Sequence, residues 1–258
     1  MLRRRFYAPP DAFSAPQVGA TVVLAPEEAR HLRDVLRLRT GDEAFVFDGE
    51  GNEFFCVIVE SGRGGGSATL AVRERVPPQC PESPLRLTLA VALLKGEKFD
   101  LVVQKATELG AAHIVPVSTK RADVRLRDAS DAARRTVRWQ RLALEAAKQS
   151  GRARVPLVAA PVPFASVIGE GVGGSEEIRL MFAERGGGHL PETVGGLRVR
   201  PAAALALVGP EGGWEEEEIT QARDAGWSVV TLGGRTLRAE TAAITVAVLL
   251  QHLFGDLA

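Results

Sequence analysis

The residues of this 258-residue chain best placed for chemistry lie in two glycine-bearing segments near its C-terminus. The first, Gly209-Pro210-Glu211-Gly212-Gly213, follows the apolar run Ala203 to Val208 and opens into Trp214 and the glutamates Glu215 to Glu218. The second runs from Gly233 through Arg235, Leu237 and Arg238 to Glu240, after the apolar run Ser228 to Leu232. Glycine lets backbone amides approach a ligand closely. The acid behind the first segment suits a phosphate poorly and a cationic or uncharged ligand better. Taken alone, GPEGG serves a plain turn as readily as a ligand. In the second segment Arg238 can hold an anion, and Glu240 can act as a base or a hydrogen-bond acceptor. An acid in the first turn of a helix is also favoured by the helix dipole with no further role. Residue types alone favour that plain reading.

Other chemistries find less support. Gly169 to Gly174 matches GxGxxG, but it follows a helical pattern and precedes a strand, the reverse of the dinucleotide context. The match is read as accidental. His31, His113, His189 and His252 are scattered without metal-ligand spacing, so no metal is expected. Cys56 and Cys80 form no CxxC motif and are read as free thiols of a reducing cytoplasm. No apolar run reaches membrane-spanning length, and the basic start Arg3-Arg4-Arg5 leads into Tyr7-Ala8-Pro9-Pro10-Asp11 instead of an apolar secretory stretch.

The formal net charge is zero, with 45% hydrophobic and 25% charged residues, the balance of a folded domain and not of a disordered or collagen-like chain. That neutrality conceals asymmetry. Lys120 to Arg154 holds eleven basic residues against four acids, Asp123, Asp128, Asp131 and Glu145. A second basic group joins Arg3, Arg4 and Arg5 to Arg30, Arg33, Arg37 and Arg39. Such clusters can neutralise phosphates, and the prevalence of arginine suits bidentate contacts. A solvated helix face explains the first cluster equally well.

These segments need elements to hold them. Residues 1–76 read as mostly β: strands at 21–24, 43–47, 53–59 and 67–76, with a helix over 26–37 whose apolar stripe is Ala29, Leu32, Val35 and Leu36. Short strands and glycine-rich turns suggest a small barrel. Residues 77–84 have the composition of a linker. From Leu85 onward, strands at 85–94, 113–117, 155–159, 178–182, 203–208 and 228–232 alternate with helices at 98–109, 131–149, 163–168, 214–225 and 239–254. That alternation predicts an α/β domain over 85–258 with a mostly parallel sheet. Gly169 to Gly174 and Gly186 to Gly188 read as flexible loops.

Lys95 to Gly110 (KGEKFDLVVQKATELG), Glu145 to Pro156 (EAAKQSGRARVP), Val208 to Trp214 (VGPEGGW) and Leu232 to Ala242 (LGGRTLRAETA) resemble the RsmE family. These are bacterial 16S rRNA uridine-N3 methyltransferases of the SPOUT superfamily. Arg4 to Tyr7 and His31 to Arg37 resemble it too, and the ordered set covers nearly the whole chain. The resemblance implies a PUA-like, RNA-binding barrel over 1–76 and a SPOUT domain with a deep trefoil knot over 85–258. It implies S-adenosylmethionine as cofactor, 16S rRNA or the small ribosomal subunit as partner, and a cytoplasmic homodimer without membrane or metal. The cofactor would lie against Phe182, Val208, Gly209, Pro210, Glu211, Gly212 and Gly213 on one side. On the other would stand Leu232, Gly233, Leu237, Thr241 and Ala242. Arg238 would stabilise the uracil anion, with Glu240 or Glu211 taking or relaying the N3 proton. RNA would be captured by Arg3, Arg4, Arg5, Arg30, Arg33 and Arg37, with Arg121, Arg125 and Arg152. Thr236 and Trp214 depart from the family's usual isoleucine and phenylalanine. Competing readings are a SPOUT enzyme acting on a ribose 2′-hydroxyl or on tRNA, a non-catalytic RNA-binding factor, and a nicotinamide oxidoreductase.

Overall fold

A computed structural model describes residues 3–15, 18–62, 66–169 and 177–257. The chain divides into two compact units, Met1–Glu82 with Leu144–Val155, and Ser83–Ala143 with Pro156–Ala258. The first unit thus takes a segment that the sequence reading gives to the α/β domain. Ion pairs explain why: Arg152 meets Glu82 at 2.5 Å, and Lys148 meets Glu28 at 2.6 Å. The Val155 amide also donates to the Gly49 carbonyl at 2.9 Å. Most of the expected linker belongs to this unit as well, with the Cys80 amide bonded to the Gly151 carbonyl.

The first unit is a five-stranded sheet of β1 (Arg5–Tyr7), β2 (Thr21–Leu24), β3 (Glu43–Phe47), β4 (Glu53–Glu60) and β5 (Ala68–Val76), in the order β1-β3-β4-β5-β2. Only β1 pairs in parallel, with β3. Alternate residues of all five strands, including Phe6, Val22, Val46, Ile58 and Leu70, meet in one core. Between β3 and β4 the Asp48 carboxylate accepts the amides of Glu50 and Asn52, closing the expected hairpin turn. One expectation fails locally. The predicted helix over 26–37 is α-helical only at α1 (Pro26–Arg30), then widens into a π-turn at His31–Val35. The extra residue per turn rotates the stripe, so Ala29 and Leu32 stay buried while Val35 is 63% exposed. Arg37, at φ +56°, ends the segment.

The second unit is α/β. Its strands are β6 (Arg86–Ala92), β7 (His113–Ser118), β8 (Leu157–Val158), β9 (Val162–Pro163), β10 (Glu177–Phe182), β11 (Gly188–His189), β12 (Ala203–Val208) and β13 (Ser228–Thr231). They run β11-β13-β10-β12-β6-β7-β8, with β9 also on β7, and every pairing is parallel. Its helices are α2 (Lys98–Glu108), α3 (Ala129–Ser150, whose residues from Leu144 on belong to the first unit), α4 (Phe164–Gly169), α5 (Leu190–Gly195), α6 (Glu216–Asp224) and α7 (Ala239–Phe254). The nearly continuous apolar character of β6 and β12 is that of strands buried on both faces. Gly188, read as part of a flexible loop, belongs to β11. Its neighbour Gly187 lies so close to the Val230 backbone that a Cβ would come within 2.6 Å. Of the accidental GxGxxG match, residues 170–174 lie outside the described residues. Among the described residues, no helix is long and apolar enough to cross a membrane, and no cluster of His, Cys, Asp and Glu is suited to a metal ion.

Candidate active site

Three neighbouring strands of the second unit end at one level. Phe182, the last residue of β10, is in register with Val208 of β12 and Val230 of β13. From β10 the chain passes to β11 at the edge of the sheet, returns as β12 on one side of β10, and then crosses to β13 on the other. A parallel sheet leaves a crevice at the carboxyl ends where the winding direction changes. The two glycine segments flank that crevice and enclose a cleft of about 280 Å³.

Phe182, Val208, Gly209, Pro210, Glu211 and Gly213 form one side of the cleft wall. Leu232, Gly233, Leu237, Arg238 and Ala242 form the other. Two expected cofactor residues lie elsewhere. Gly212 turns to the loop after β7, where a Cβ would come within 3.0 Å of the Arg121 carbonyl. Thr241 is exposed on α7, because the helical turn that points Ala242 inward points its neighbour out. Arg235 and Thr236 of the second segment also line the wall, and residues outside the expected set complete it: Ala183 and Glu184 after β10, Trp214, Thr231 and Ala239.

The segment after β12 is braced. The Trp214 indole donates to the Phe182 carbonyl at 2.8 Å and packs on Phe164. It lies so near Gly209 that a Cβ there would meet the ring at 2.9 Å, which is why glycine is needed. Glu218, 2% exposed, forms a capping box with Glu215 and also accepts the Lys120 amide. Arg121 adds an ion pair to Glu215 at 2.8 Å.

The charged groups divide by environment. Glu211 accepts Lys98 Nζ at 2.8 Å. Burial pushes its carboxyl up, but the Lys98 hydrogen bond, with backbone amides of Glu211 and Lys95, outweighs burial and holds it below its ordinary range. The Arg238 guanidinium is exposed and has no hydrogen-bond partner among the described residues. Glu240, 9% exposed, is not part of the wall, and its Oε2 has no hydrogen-bond partner among the described residues.

The expected RNA contacts fare unevenly. Arg4, Arg30, Arg37 and Arg125 are exposed. Arg33 pairs with Asp34 and donates to the Gly62 carbonyl, and Arg121 remains half exposed beside Glu215. Arg5 and Arg152 leave the RNA set because both side chains are buried, at 6% and 4% exposure. Arg5 and Arg3 converge on the fully buried Glu53 at 3.2 and 2.9 Å, and Arg152 pairs with Glu82. These guanidinia hold the fold together.

Residues 81–251 match the family model of an RNA methyltransferase domain, and residues 24–70 that of an RNA methyltransferase PUA domain. The chain is 37% identical over 229 residues to the ribosomal RNA small subunit methyltransferase E of Synechocystis, covering 87% of this chain and 71% of that one. It is 32% identical over 233 residues to the protein of that name from Mycobacterium tuberculosis, covering 88% and 85%. The crystal structure of ribosomal RNA small subunit methyltransferase E from Neisseria gonorrhoeae, bound to S-adenosyl methionine, aligns over the full length of both chains with a TM-score of 0.84 at 34% identity. A Legionella pneumophila methyltransferase crystallised with the same cofactor aligns with a TM-score of 0.84 at 31% identity, over 99% of this chain and 100% of that one. With both domain models matched in order and such relatives along nearly all its length, the chain belongs to the ribosomal RNA small subunit methyltransferase E family.

Proposed function

We propose that this protein methylates N3 of a uridine in 16S rRNA of the small ribosomal subunit, using S-adenosylmethionine. The observation that carries the reading is the cleft itself: apolar walls, carboxylates of Glu184 and Glu211, and an unpaired Arg238, at the ends of three parallel strands in a member of this family.

The residues present fit the cofactor. The cleft is near the lower end of small-ligand sites, roughly 300–1,000 Å³. Leu232, Leu237, Val208 and Ala242 offer apolar surface to a nucleoside, and Gly213 and Gly233, both at positive φ, leave backbone edges bare. Glu184 and Glu211 offset a positive charge. When bound, S-adenosylmethionine supplies a methyl group on a cationic sulfur, and the sulfur keeps the electron pair of the broken bond. The chain's own task is to bind, orient and deprotonate. A uracil N3 proton is weakly acidic, so its removal must be coupled to charge stabilisation. Arg238 faces the anion that spreads over O2 and O4, where one aimed donor is worth about 3–4 kcal/mol. Glu240 or Glu211 takes or relays the proton. Glu240 stands outside the cleft wall with its Oε2 unpartnered, whereas Glu211 lines the wall with its carboxylate held ionised by Lys98. The N3 lone pair then forms the new bond to carbon.

In the same reading the SPOUT domain carries a trefoil knot and the enzyme works as a cytoplasmic homodimer, which light scattering of the purified protein tests. The first unit, with Arg4, Arg30, Arg33 and Arg37, captures RNA. Labelled methyl transfer onto small subunits and onto naked 16S rRNA, with nucleosides identified by mass spectrometry, tests the activity. N3-methyluridine is the expected product. Ribose methylation or label in tRNA would overturn the assignment.

A further inference from the structure

We propose that Lys98 is a second catalytic cation, whose ammonium meets one carbonyl oxygen of the target uracil while the Arg238 guanidinium meets the other. This rests on the uridine-N3 reading above and adds a residue to it.

Lys98 opens α2, just after β6, and β6 lies beside β12 in the sheet. Its Nζ sits 2.8 Å from Glu211 Oε1, and Glu211 and Arg238 both belong to the cleft wall. The pair is open to a substrate, with the Lys98 and Glu211 side chains 35% and 26% exposed. Its mount is firm. Phe99 is buried and packs against Trp139 with ring centres 4.4 Å apart and planes tilted by 43°, while Asp100 accepts the Trp139 indole N–H at 3.0 Å and pairs with Arg138. The next two residues therefore fix the helical turn from which Lys98 reaches Glu211.

The Glu211 hydrogen bond, followed by the charges of Glu211 and Glu240, keeps Lys98 above the ordinary lysine range; partial desolvation and Arg238 act in the other direction. Lys98 thus stays a cation and is no base. Glu211, which Lys98 holds, and Arg238 line the same cleft. Deprotonation of N3 puts charge on two oxygens, on opposite sides of the nitrogen. One guanidinium aimed at one oxygen leaves the second without a donor. An ammonium has three donors, so Lys98 can keep Glu211 and still donate to the second oxygen. It forms no covalent bond and moves no proton.

A lysine that only staples Glu211 would behave differently, and substrate acidity separates the two roles. Wild type, Lys98→Met and Lys98→Arg would be assayed on small subunits whose 16S rRNA carries uridine or the more acidic 5-fluorouridine. Cofactor affinity would be followed by calorimetry. On uridine, Lys98→Met is expected to lose kcat by on the order of 10²-fold, with S-adenosylmethionine binding unchanged and Lys98→Arg retaining most activity. On 5-fluorouridine the ratio of wild type to Lys98→Met shrinks several-fold, because a more acidic nitrogen needs less help. Equal ratios on the two substrates, wild-type turnover of Lys98→Met, or a defect confined to cofactor binding would each overturn the role of Lys98. Absence of any N3-methylated product from the wild-type enzyme would instead overturn the reading on which it rests.

Discussion

The two segments that flank the cleft are built to opposite specifications. The one after β12 is held by the Trp214 indole, the Glu215–Glu218 capping box, the Lys120 amide and Arg121. The one after β13 exposes Gly233, Gly234, Arg235, Thr236 and Arg238, and Arg235 and Arg238 have no hydrogen-bond partner among the described residues. One wall is pre-organised, and the other is left free to take its contacts from a ligand. Binding sites that order one side on arrival give up some affinity for access.

That contrast can be broken most severely at Trp214. Replacing it with alanine is expected to cost about 3–5 kcal/mol of stability in urea unfolding. Trp214→Phe keeps an aromatic ring but removes the indole N–H that donates to the Phe182 carbonyl, and costs about 1 kcal/mol. A loss as small for alanine as for phenylalanine would show that the first wall is not braced by the indole. Arg238→Ala is the corresponding change on the open wall. It should leave the unfolding midpoint where it was and lower kcat by roughly 10²–10³-fold. A stability defect instead would mean that the second wall is also a structural brace. Glu218→Ala removes the acceptor for the Lys120 and Glu215 amides, at about 1–3 kcal/mol. Tryptic cleavage offers a milder test. The free protein should be cut after Arg235 or Arg238, and S-adenosylmethionine should slow those cuts selectively. The smallest effect concerns the thiols. Burial pushes Cys56 up to about 12, so at pH 8 its thiolate is scarce, whereas Cys80 is exposed. Iodoacetamide should alkylate Cys80 alone in the native state, and both residues after unfolding.

Much of the scaffold was legible because its signals are local. β3, β12 and α7 have the bounds their apolar runs dictate, each closed by a turn residue, a glycine or a cap. β1 was not, because Arg5-Phe6-Tyr7 offers a single buried residue and owes its pairing to β3, far along the chain. β11 and α5 were hidden behind Gly186 to Gly188, whose tight approach to β13 is a tertiary fact. The site shows the same division. The glycine segments announced themselves, as did most of the wall. Lys98 did not: a lysine in the first turn of a helix reads as solvated surface until Glu211 is seen beside it. Nor could composition reveal that Arg5 and Arg152, written among so many basic residues, point inward at carboxylates.

β12 carries a consequence of its own. All six of its residues are buried, and Ala203, Ala204 and Ala206 give it little bulk. Small side chains set how near the covering layers can come, and that spacing fixes the height at which Val208 and Gly209 are delivered. Enlarging one alanine would tilt the shelf at the top of the strand without touching anything that binds there. Inactivating substitutions in distant relatives are therefore to be sought beneath the floor of the cleft as well as around its mouth.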